Sequence, residues 1–172
     1  MVAMALALGG CAVTSVETPD PAAVPTGPLE AAGGDATGPV VEVGSGQNAG
    51  LGWRYSIYPN DDEWCTQLEV VEVTVSGCGD LLPAGDRAFG SVGRGDPLAG
   101  GVTPIEGIVT EEIVTVWLLA EDGRRMPAKL MSLDPAGLDA QAFVAFVPPD
   151  ATITHLLALA SSGEILETYE LP

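Results

Sequence analysis

The stretch "CTQLEVVEVTVSGC", residues 65–78, decides how the rest of the chain is read. It is rich in β-branched residues and holds no turn-forming residue until Ser76-Gly77. As one straight strand, residues 65–75 would reach about 33 Å. Two bonded cysteines need their Cα atoms within about 7 Å. The apolar register also slips midway, from Trp64, Leu68 and Val70 to Val71, Val73 and Val75. A one-residue slip moves side chains to the opposite face of a strand. Either the chain reverses near Val71-Glu72, or Cys65 and Cys78 are not bonded to each other. The reversal is the preferred reading, and it predicts a hairpin with unusual Val-Glu turn chemistry.

Outward from this hairpin the pattern stays β. In "LGWRYSIY" (51–58) Leu51, Trp53, Tyr55 and Ile57 alternate with other residues, the period of a half-buried strand. "PNDDE" (59–63) follows as a turn. "IVTVWLLA" (113–120) is apolar on both faces, as expected of a strand covered on both sides. "EDG" turns the chain into "RRMPAKLMSL", where Pro127 marks an edge strand or bulge. "AQAFVAFV" (140–147) is a second two-faced strand, and "ATITHLLALA", "SSG" and "EILETYEL" complete a final hairpin. Strand and turn units recur at intervals of roughly ten residues with no long helical period. The expectation is all-β: one immunoglobulin-like antiparallel β-sandwich of about 7–9 strands over residues 51–172.

The charge balance is lopsided, with 24 acidic against 6 basic residues and a net charge of −18. Such a chain repels nucleic acid and anionic lipid headgroups, so neither is expected as a partner held by charge. From Ala12 to about Gly50 there are no aromatic or basic residues and many Pro, Gly, Ala and Thr. That composition predicts a disordered acidic linker over residues 11–50, with an end-to-end distance of roughly 35 Å. "GSGQNAG" within it lacks the preceding strand and the spacing of a phosphate-binding loop.

At the N-terminus an apolar run, "MALAL", leads into Leu8-Gly9-Gly10-Cys11. An aliphatic residue, two small residues and a cysteine resemble the lipobox of bacterial lipoproteins. The resemblance implies a signal peptide over residues 1–10 and a diacylglyceryl group on Cys11, the new N-terminus after cleavage. The partner is then the membrane, through a covalent lipid, at the outer face of the cytoplasmic membrane. Two acyl chains anchor stably where one does not. Export also suits a Cys65–Cys78 disulfide, and closing that loop is worth about 3 kcal/mol in the chain-entropy model. Residues 51–172 loosely resemble small β domains of exported proteins from high-GC Gram-positive bacteria.

Nothing in the sequence assembles a catalytic constellation. His155 is the single histidine. In "ITHLLAL" it alternates with Ile153, Leu157 and Leu159, which predicts a hydrogen-bonded core residue. No serine lies in a nucleophile elbow. The acids of the 61–63 turn (Asp61, Asp62, Glu63) and Asp80, Asp86 and Asp96 lack the spacing of a calcium loop and read as solvated turn acids. The tripeptide at 94–96, Arg94-Gly95-Asp96, is too short to carry an adhesion reading. Arg124, Arg125 and Lys129 are expected to pair with nearby acids. Trp53, Trp64 and Trp117 read as core residues, although Trp64 could line an exposed surface. No enzyme, cofactor or metal is expected. The functional expectation is a non-catalytic binding or structural module of the cell envelope. An envelope protein or glycan would meet exposed aromatics (Trp64, Tyr58) or an open edge strand. The alternative is a secreted hydrolase or metal-dependent enzyme with carboxylates around His155.

Overall fold

The computed structural model describes residues 23–32, 36–48, 50–71 and 73–172. The lipobox, Cys11 and the signal peptide lie outside them. The described part is all-β, with twelve strands in three antiparallel four-stranded sheets. No helix among the described residues is long and apolar enough to cross a membrane.

The first sheet is a meander in chain order: β1 (Val41–Asn48), β2 (Leu51–Asn60), β3 (Glu63–Val70) and β4 (Val73–Gly79). The expected reversal is there. Val70 pairs with Val73, and Val71 adopts φ 55, the positive φ that a two-residue hairpin loop requires. A β-branched residue resists that conformation by roughly 1–2 kcal/mol. At the other end of the hairpin Cys65 and Cys78 stand directly opposite and are bonded, with Cα atoms 4.0 Å apart.

The second sheet has the order β5 (Phe89–Arg94), β6 (Thr103–Thr110), β10 (Ala140–Val147), β9 (Lys129–Ser132). The third has the order β12 (Ile165–Glu170), β11 (Ile153–Leu159), β7 (Thr115–Ala120), β8 (Arg125–Pro127). The second sheet is the middle layer. Phe143, Ala145 and Val147 on β10 meet Val116, Leu118, Ile153 and Leu156 of the third sheet. The alternate residues Ala140, Ala142 and Val144 meet Trp53, Tyr55, Ile57 and Leu68 of the first. Period-2 alternation thus feeds two cores from one strand. Gly107 on β6 permits the close approach of Phe143, whose ring would lie 2.7 Å from any Cβ placed there.

The two facing sheets are joined at both edges. Ala128 carries the chain directly from β8 to β9, and so from one sheet to the other. On the far side Glu167 of β12 accepts hydrogen bonds from the Ala88 and Phe89 backbone N–H groups, at 2.6 and 3.0 Å. Phe89 then packs its ring against Phe143 and Tyr169.

Three expectations are corrected. The described residues form twelve strands rather than seven to nine, because an extra sheet lies outside the two-sheet core and Ala128 divides one expected strand into two. The domain does not begin at residue 51: Val41–Asn48 of the expected linker forms β1, in register with β2. Residues 23–32 are not a free tether either, since they cross the outer face of the first sheet. There the backbone carbonyls of Gly27 and Glu30 accept from Arg54 and Gln67, and the Ala32 N–H donates to Gln67 Oε1 at 2.7 Å. Little apolar surface is needed for this order, because side chains distant in sequence satisfy the strap's polar backbone.

Candidate functional site

Beneath the strap, β2 and β3 present a row of buried polar side chains. Arg54 pairs with Glu69 at 2.6 Å, and Gln67 donates to Glu69 Oε1 at 2.8 Å. Tyr58, expected at an exposed surface, is only 2% exposed, and its hydroxyl donates to the Ala32 carbonyl. Trp64 is half-buried against the core. The exposed-aromatic patch is therefore not formed by these two residues; the strap and the core take them up.

The opposite face of the first sheet holds a buried carboxyl. Glu106 on β6 is 6% exposed and faces Tyr55 and Thr66. Thr66 Oγ1 lies 3.5 Å from Oε1, at the outer limit of a hydrogen bond. The Tyr55 hydroxyl and Glu106 Oε2 have no partner in good hydrogen-bond geometry. Burial pushes the Glu106 carboxyl up, and the polar company of Tyr55 and Thr66 lowers it by less. Burial foremost, then the Glu106 charge, pushes the Tyr55 phenol well up. This is a polar contact buried between two sheets.

The surface is also grooved, with a shallow acidic dip of about 200 Å³ at Glu121, Asp122, Asp150 and Thr152 and two larger grooves. One, of about 320 Å³, lies where the three sheets meet, lined by Gln47, Asn48, Trp53, Pro127, Lys129 and Phe146. Its floor is apolar: the Trp53 and Phe146 rings are 6.1 Å apart. Lys129 does not pair with an acid as expected. Its Nζ sits 4.6 Å over the Trp53 ring and donates to the Ser45 carbonyl. The second groove, of about 610 Å³, runs between β4 and the Arg94–Leu98 loop.

The other candidates separate. His155 is half-buried and bonds only its neighbour, Thr154 Oγ1, at 3.0 Å. A bulge between Ile153 and His155 breaks the shared face that alternation predicts, turning the ring away from the core. Trp117 is likewise not enclosed: it lies half-exposed on the outside of the third sheet, with Leu157 and Pro127 as cross-strand neighbours. Arg124 does pair, with Asp122 at 2.6 Å and Asp150 at 3.1 Å, and its hydrogen bonds hold the Asp122 carboxyl below the usual range. Asp61, Asp62, Glu63, Asp80, Asp86 and Asp96 are all exposed. Among the described residues, no three His, Cys, Asp or Glu are grouped as metal ligands.

Sequence reasoning missed Glu106 and Lys129. The signal for Glu106 was a lone acid inside the apolar run "IEGIV". Nothing in sequence places Lys129 over Trp53, seventy-six positions away. No protein-family model, curated protein or solved structure matches the chain.

Proposed function

We propose that this chain is a cell-envelope lipoprotein that displays a non-catalytic β domain for binding an envelope protein or glycan. The Cys65–Cys78 disulfide carries the reading. Cys78 is exposed, and a bond at such a site persists in an oxidising compartment but not in a reducing one. The lipobox Leu8-Gly9-Gly10-Cys11 supplies the address, with Cys11 diacylated and the protein held at the outer face of the cytoplasmic membrane.

The display unit is an immunoglobulin-like sandwich formed by β5–β12. Support comes from strand order. Lettered A, B, C, C′, D, E, F and G along the chain, the two sheets read A-B-E-D and G-F-C-C′. The first sheet is an addition packed on the A-B-E-D face. The three-sheet groove supports a binding role: half-buried Phe146, packed on Trp53, offers a ring or acyl group an apolar floor, and Lys129 is one of six basic residues against 24 acidic ones. The carboxylate-enzyme alternative finds less support. Glu106 is buried, and His155 stands between Leu119 and Glu170 with no ion pair to the latter.

The test is the intact mass of protein purified from its native host, before and after reduction. The expected species begins at Cys11, carries the mass of a diacylglyceryl group and gains two hydrogens on reduction. An unmodified chain with three free thiols overturns the reading.

A further inference from the structure

Sheet edges are where an extended chain can add itself, and proteins guard them with charge, proline or bulges. In this molecule β1 carries Glu42, β5 Arg94, β8 Arg125 and Pro127, β9 Lys129, and β12 Glu167 and Glu170. The remaining edge strand, β4, reads "VTVSGCG" and carries no charge or proline. Its seven residues are mostly exposed, Val73 at 46%.

The backbone of β4 is also poised for pairing. The 4.0 Å Cα spacing of Cys65 and Cys78 marks a non-hydrogen-bonded pair in an antiparallel ladder. By alternation, Val73, Val75 and Gly77 turn their N–H and C=O groups to β3, while Thr74, Ser76 and Cys78 turn theirs to the open edge. No other described segment hydrogen-bonds that edge. The disulfide ties β4 to β3, so the template is ordered before anything arrives. Beside it lies the groove of about 610 Å³ bounded by Arg94, Asp96, Pro97 and Leu98. Arg54, Arg87 and Arg124 are all held by carboxylates. The Arg94 side chain is exposed and makes no ion pair or hydrogen bond among the described residues.

We infer that β4 is a peptide-binding edge: an extended peptide adds as a fifth strand to the first sheet and sets a carboxylate against Arg94. Apolar side chains of the peptide lie toward Val73 and Val75, and its backbone pairs with Thr74, Ser76 and Cys78. A second copy of this chain is the poorer occupant, because each copy carries a net charge of −18 and two such chains repel. The inference rests on the binding role proposed above but not on the lipid anchor.

The test uses the full-length protein from its native host, in detergent, with an acetylated hexapeptide of alternating threonine and valine ending in a free aspartate. Peptide binding is expected to slow amide hydrogen exchange at Thr74, Ser76 and Cys78 and to leave Val73, Val75 and Gly77 unchanged. Ser76→Pro removes an outward donor without touching the β3 pairing, and should lower affinity at least about tenfold. Arg94→Gln should lower it by roughly fivefold. N-methylation of the peptide on one alternation should abolish binding, and on the other should not. Protection without alternation, or no binding, overturns the inference. So does protection of the same amides in a concentration-dependent dimer without peptide, which would make the occupant a second copy. Peptide binding by a chain whose Cys11 is unmodified would end the anchor reading and leave the edge reading standing.

Discussion

The middle sheet is packed from both sides, and its two interfaces are built differently. Toward the third sheet, β6 and β10 present Ile105, Val109, Phe143, Ala145 and Val147, an apolar cluster with Glu167 at its edge. Toward the first sheet the same strands present Ile108, Ala140, Ala142 and Val144, but also Glu106 beside Tyr55 and Thr66. An apolar interface is indifferent to pH, whereas a buried carboxyl makes its interface depend on the protonation state. The contact of the first sheet therefore depends on the protonation of a buried carboxyl. The sandwich beneath it is joined by apolar packing and, at its edge, by the half-buried Glu167.

Substitutions can break or sharpen this contrast. The largest effect belongs to the apolar interface. Phe143→Ala should destabilise by about 4 kcal/mol in chemical denaturation, since it leaves a cavity beside Phe89. Replacing Cys65 and Cys78 together by serine should cost about 3 kcal/mol. The loss should appear as faster amide exchange in β3 and β4, with β6 and β10 little changed. Next, Gln67→Ala removes three hydrogen bonds that fasten the strap and join Gln67 to Glu69. It should cost about 2 kcal/mol and expose residues 23–32 to limited proteolysis.

The smallest effect has the opposite sign. Because the Glu106 carboxyl is raised in the folded state, its protonated form is the better accommodated one. The stability it contributes is present below the ordinary carboxylate range and is lost as pH rises through the folded value. Wild-type protein should therefore lose stability across that rise. Glu106→Gln should flatten the profile and be more stable by on the order of 1 kcal/mol above it. A Glu106→Gln profile as steep as the wild-type one would remove the carboxyl from the account.

What the sequence discloses follows the same division. The β3–β4 reversal was legible because a cysteine pair and a register slip constrain one short stretch. The two-faced strand 140–147 was legible because alternation fails there in favour of apolar residues on both sides. Which partner covers each face was not legible, since sheet stacking depends on residues far apart in the chain. The strap and β1 were missed for a related reason. Their residues carry almost no periodic apolar signal, and what orders them is the Arg54 and Gln67 side chains and the β2 backbone. His155 was misplaced by a single bulge, which a count of alternating residues cannot see.

The strap has a mechanical consequence. It runs beside β2 from Gly52, which lies against Ala23, to Pro59, whose carbonyl accepts from Thr37. A load entering through the N-terminus meets the Ala23 end first and breaks the bonds to Gly27, Glu30 and Ala32 one after another. The eighteen residues from 23 to 40 would then pay out roughly 60 Å of chain before force reaches β1. A domain tethered through that end is sprung: it yields in small steps while the sheets behind the strap stay folded.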